Sequence, residues 1–75
     1  MTLYELMNNT TIQGDVKIRV FKDDGNYDEV AMKRFGCVDD LSYEEIPEEW
    51  EGLEVRYLYY ADNCITIELY IKEDE

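Results

Sequence analysis

The sequence predicts a single small α+β domain: a short N-terminal helix, a four-stranded antiparallel sheet made of two hairpins, and one helical turn in the acidic connection between them. Two pairs of segments alternate apolar and polar residues with the period of two that marks half-buried strands, and each pair brackets a cluster of turn-forming residues. Ahead of the first pair, apolar residues recur at helical spacing behind a capping signal.

Thr2 followed three positions later by Glu5 matches the capping box, in which hydroxyl and carboxylate each satisfy a free backbone N–H of a helix start. Leu3, Leu6 and Met7 then share one face of a short helix that ends near Asn8-Asn9. In DVKIRVFK, Val16, Ile18 and Val20 lie on one face and Lys17, Arg19 and Phe21 on the other. The chain turns at Asp23-Asp24-Gly25-Asn26 and returns through YDEVAMKRF, which gives strands at 15–22 and 28–34. LEVRYLYY and CITIELYIK form the stronger hairpin, with strands at 53–61 and 64–72 around Ala61-Asp62-Asn63. Strict alternation puts Leu53, Val55, Tyr57 and Tyr59 on one face of the first, and Ile65, Ile67, Leu69 and Ile71 on one face of the second. Leu58, Tyr60 and Tyr70 fall on the less apolar face, which suggests partial cover by the helix, the acidic connection or a second protomer. The expected core is Val16, Ile18, Val20, Val55, Tyr57, Ile65, Ile67 and Leu69.

The 75 residues include 19 acids, 7 bases and no His, for a formal charge of −12. A domain of this size buries only about 60% of the surface its unfolded chain exposes, which leaves little stability for a deep active-site cleft. Seven Tyr, two Phe and one Trp nevertheless argue for a packed core and against disorder. The charge repels nucleic acid and anionic membrane surfaces, so neither is expected as a direct partner, and it favours basic ones. No apolar run reaches the roughly 18 residues of a membrane span, and MTLYELMNNT lacks the basic and apolar regions of a signal peptide, so a cytoplasmic protein is expected. Cys37 and Cys64 form no Cys-x-x-Cys pair; their simplest role is as small core hydrophobes.

The charge is polarised. Residues 1–38 hold six acids and five bases, whereas residues 39–75 hold thirteen acids and two bases. The densest part is DDLSYEEIPEEWEGLE, residues 39 to 54, with eight carboxylates and no Lys or Arg. Pro47 disfavours helix at Ile46 and suits the start of one, while Gly52 suits a stop, so PEEWE at 47–51 is predicted as a single helical turn. Glu48 and Glu49 would then lie at its positive end, and Trp50 would anchor the turn on the sheet. Asp39, Asp40, Glu44, Glu45, Glu51 and Glu54 have no such structural use. A solvated face, a metal site and a recognition surface for a basic protein are the readings open to them. In the last, Tyr43 and Trp50 would supply apolar anchors between the carboxylates.

Most catalytic schemes lack their residues. Without His there is no Ser-His or Cys-His nucleophile, and four scattered Gly make no phosphate loop. Asp24, Asn26 and Asp28 have the spacing of the first three calcium-loop ligands, but Glu29 stands where that loop needs Gly and Phe35 where it needs Glu, so a hairpin turn is the better account. Lys17, Arg19, Lys22, Lys33 and Arg34 form a basic cluster around Phe21 on the first hairpin, expected to pair across strands with neighbouring acids. No catalytic residue, cofactor or metal is expected.

LYELMNNTTIQGDVKIRVF near the start and VRYLYYADNCITIEL near the end resemble short acidic proteins carried by phages and mobile elements of Gram-positive gut bacteria, in a few apolar positions, Gly14 and an I-x-I-E-L close. The resemblance implies a fold and a genomic setting and transfers no functional residue. Proteins of such settings include DNA mimics that inhibit CRISPR nucleases or restriction enzymes, to which this chain is similar in size and charge. The first functional expectation is therefore a non-enzymatic binding module, an inhibitor of a nuclease or other basic DNA-binding protein acting through residues 39–54. The alternative is a small structural or accessory subunit that works as a homo-oligomer.

Overall fold

The structure, a computed structural model, describes residues 1–23, 28–38 and 46–72. In chain order the elements are α1 (Leu3–Asn9), β1 (Gly14–Asp23), β2 (Glu29–Val38), α2 (Glu48–Glu51), β3 (Glu54–Ala61) and β4 (Cys64–Lys72). The fold class is α+β with two helices rather than one helix and a turn. The expected turn at Asp23–Asn26 and the calcium-loop spacing run into residues outside those described.

The capping box at Thr2 is formed: Glu5 N–H donates to Thr2 Oγ1 at 3.2 Å and Thr2 N–H to Glu5 Oε1 at 2.9 Å. Leu3 and Leu6 are buried, and Met7 packs beside them. Pro47 precedes α2 in extended geometry (φ −53°, ψ 133°), one position earlier than a first helical residue, and Gly52 ends it.

The four strands form one mixed sheet in the order β2-β1-β4-β3. Both hairpins are present, but they are joined by parallel pairing of β1 with β4, from Val16 opposite Ile65 to Asp23 opposite Lys72. The sheet is thus not the purely antiparallel one expected. β1 and β4 carry the densest β-branched residues, and the two central places of a four-stranded sheet are those covered on both flanks. β2, whose β-branched residues are Val30 and Val38, and the tyrosine-rich β3 take the edges.

Val16, Ile18, Val20, Ile67 and Leu69 form the core with Leu3, Leu6, Ile12, Phe35 and Ile46, all on the α1 side of the sheet; Val55 and Ile65 are partly buried against it. Tyr57 is not part of this core and is 57% exposed. The pairing of β3 with β4 slips by one residue between Val55 and Tyr57, and a one-residue bulge sends every later side chain to the opposite face. Leu58 and Tyr60 therefore share the α1 side with Val55, while Tyr57 and Tyr59 join Glu68 and Tyr70 on the other.

Candidate functional site

Of the residues assigned to a recognition surface, Asp39, Asp40, Tyr43, Glu44 and Glu45 lie outside the described residues. The remainder, Glu48, Glu49, Trp50, Glu51 and Glu54, come together on α2 and the start of β3. This corner is tied down by backbone hydrogen bonds. Trp50 N–H donates to Pro47 O (2.9 Å), Leu53 N–H to Trp50 O (3.1 Å), Leu3 N–H to Leu53 O (3.0 Å) and Val55 N–H to Met1 O (2.7 Å). Trp50 and Leu53 rest against the core, so the expected anchoring role of Trp50 is present. Glu48 and Glu49 are exposed, and among the described residues neither they nor Glu51 has an ion-pair partner. Glu54 accepts a hydrogen bond from the Met1 amino group at 3.3 Å. The α2 corner thus presents negative charge on a fixed backbone.

The basic side chains of the first hairpin are differently placed. On the face away from α1, Arg19 donates to both oxygens of Glu29 (3.2 and 3.0 Å) and lies 3.7 Å from Glu68 Oε2. Its Nη1 donates to Tyr59 Oη at 3.5 Å; Tyr59 in turn donates to Glu68, as does Tyr70 at 3.2 Å. The Glu29 hydrogen bond pushes the Arg19 pKa above its ordinary value, so this guanidinium stays charged. Tyr59 is raised chiefly by its hydrogen bond to Glu68, and Tyr70 chiefly by burial. Phe21 stacks on Tyr70 (ring centroids 5.3 Å apart), with Arg19 over the first ring and Arg56 over the second. Lys17 lies 3.7 Å from Asp62, and Arg34 donates to Cys64 Sγ at 3.0 Å.

Cross-strand pairing of the basic cluster with neighbouring acids is thus seen for Arg19 and Glu29, and Lys17 pairs with Asp62 of the β3–β4 turn. Sequence reading missed Glu68 and Tyr59 as partners of Arg19, because β1 is distant in the chain from β3 and β4 and the β1–β4 register is set by parallel pairing. Among the described residues, no three His, Cys, Asp or Glu side chains gather as metal ligands. On the α1 side, Leu6, Thr10, Ile12, Leu58, Tyr60 and Ile65 line an apolar groove of about 380 Å³. No described helix is long and apolar enough to cross a membrane. Comparison with protein-family models, curated proteins and solved structures finds no match.

Proposed function

We propose that the protein is a non-catalytic, cytoplasmic binding module whose carboxylate-rich segment, residues 39–54, occupies a basic groove that otherwise holds nucleic-acid phosphates. The observation that supports this reading is the α2 corner: Glu48, Glu49 and Glu51 sit on a helical turn fastened to the core by Trp50 and Leu53, with no described cation opposite them. The cations Lys17 and Arg19 are meanwhile matched to Asp62, Glu29 and Glu68. A fixed backbone lets carboxylates meet a partner's Lys and Arg without first ordering a loop, which lowers the entropic cost of binding. Phosphates on one DNA strand are spaced by about 3.4 Å, a density that eight carboxylates in a sixteen-residue stretch can approach. A nuclease or other DNA-binding protein is the class of partner this fits, and the activity is inhibition by occupancy.

The test is capture of host proteins on the immobilised chain, compared with a variant in which Asp39, Asp40, Glu44 and Glu45 become Asn or Gln, with Glu48→Gln and Glu49→Gln added. The expected result is a basic protein retained at low salt, released by duplex DNA, and lost once the Debye length falls below about 8 Å. The variant should fold and lose that retention. A neutralised protein that holds its partner at full strength would overturn the reading.

A further inference from the structure

β3 occupies one edge of the sheet, and among the described residues its outer side is only partly covered. Met1–Leu3 runs beside its start, through Val55 N–H to Met1 O, Leu3 N–H to Leu53 O and a bridge between Thr2 and Glu54. From Tyr57 to Ala61 no described strand pairs with that side. The N–H of Val55 already points outward, and the bulge at Arg56 shifts the alternation by one, so Leu58 and Tyr60 aim their N–H and C=O groups away from β4. The turn gives the same parity from the other end. Ala61 and Cys64 flank the two-residue turn Asp62-Asn63, both at positive φ, and such a flanking pair bonds inward.

This open edge is also the most apolar exposed stretch described. Tyr57 is 57% exposed, Leu58 55%, Tyr59 38% and Tyr60 70%, consecutive residues on both faces of one strand. Edge strands are ordinarily protected by charge, proline or cover, and an uncovered apolar one is a template for another strand. β2, the opposite edge, carries Glu29, Lys33 and Arg34 and two irregularities in its pairing.

We propose that β3 pairs with β3 of a second copy, antiparallel about a two-fold axis at Tyr59, to give a continuous eight-stranded sheet. Two properties of the chain select a twin as the occupant. A chain of charge −12 repels its copy over most of its surface, but residues 56–61 hold one charge, that of Arg56, and this register brings Arg56 opposite the partner's Asp62. The register is also self-complementary. Leu58 faces the partner's Tyr60 through a hydrogen-bonded pair on the α1 side, beside the apolar groove, and the two Tyr59 side chains meet on the other face. The surface is separate from the α2 corner, and neither reading requires the other.

Sedimentation equilibrium of the full chain over a range of concentrations should show twice the monomer mass, persisting at high salt because backbone bonds and apolar contacts hold the pair. Leu58→Lys and Tyr60→Lys alter exposed side chains; each should keep the circular dichroism of the wild type and weaken self-association roughly tenfold or more. In amide exchange, the N–H groups of Leu58 and Tyr60 should gain protection as concentration rises, while that of Val55, already bonded to Met1, should not. A wild-type chain that stays monomeric overturns the proposal, whether the edge is then bare or holds another protein's strand. So does a dimer unaffected by both lysines, or one in which Leu58 and Tyr60 amides exchange freely. The variant neutralised at Asp39, Asp40, Glu44 and Glu45 should dimerise like the wild type, so the two readings fail separately.

Discussion

Ile67 and Thr66 are neighbours on β4, both fully buried, yet they belong to opposite faces and make opposite demands. Ile67 lies in the core opposite Ile18, and its truncation leaves a cavity that a small domain relaxes around poorly. Ile67→Ala should cost about 2–5 kcal/mol. Thr66 lies on the other face between Lys17 and Tyr59, whose long side chains flank it, and among the described residues its Oγ1 has no hydrogen-bond partner. A buried hydroxyl without a partner carries a desolvation cost that its isostere avoids. Thr66→Val should therefore be neutral or stabilising. Urea midpoints for the two variants check the pair, and a Thr66→Val protein weakened as much as Ile67→Ala would show that the hydroxyl is used. The burial of Ile67 was legible from period two alone; that of Thr66 was not, because its cover comes from neighbouring strands.

At the scale of elements, α1 depends on its cap more than on its length, since a seven-residue helix is below the size at which helices hold themselves in water. Thr2→Ala should cost about 0.5–2 kcal/mol. The Thr2 backbone hydrogen bond lowers the pKa of the exposed Glu5 carboxyl. A carboxyl whose folded pKa is depressed contributes stability above its unfolded value, about 4.3, and loses it as pH falls through the folded one. Glu5→Gln keeps the shape and removes that titration, so the variant's thermal midpoint should fall less than the wild type's on acidification below about pH 4.3. Parallel curves for the two proteins would mean that the box carries no charge-dependent stability. The strand hairpins were legible from alternation and turn residues. The bulge at Arg56 was not, because VRYLYY is apolar or aromatic at nearly every position after it and either face reads as plausible.

For the whole molecule, composition fixes the sign of one effect, self-repulsion. At −12, screening should stabilise the fold, and neutral salt added at constant protein concentration should raise the thermal midpoint until the Debye length is about 3 Å, near 1 M. An unchanged midpoint would mean that the carboxylates are already compensated in the fold. Thermal unfolding monitored by circular dichroism across a salt series gives the answer. The basic side chains do not contradict this expectation, since the ion pairs of Lys17 and Arg19 remove only part of the excess.

The sequence by itself determined α1 and the two hairpins, though not that β2 runs on from the expected 34 to Val38, together with the apolar faces of β1 and β4, the cap on α1, the framing of α2 by Pro47 and Gly52, and the polarity of charge along the chain. Each is a local property, set by spacing within a few residues. Only the tertiary structure decided that β1 lies parallel to β4, that Tyr57 and Tyr59 face away from the core, and that Arg19 is matched by Glu68 and Tyr59 as well as Glu29. A half-buried strand has the same alternation whether its neighbour runs parallel or antiparallel, so period two leaves the choice open; the parallel pairing sets Val16, Ile18 and Val20 beside Ile65, Ile67 and Leu69, residues far apart in the chain. The placement of every side chain beyond the bulge then follows from one extra residue, a cost in pairing that the hairpin as a whole absorbs and that no local pattern announces.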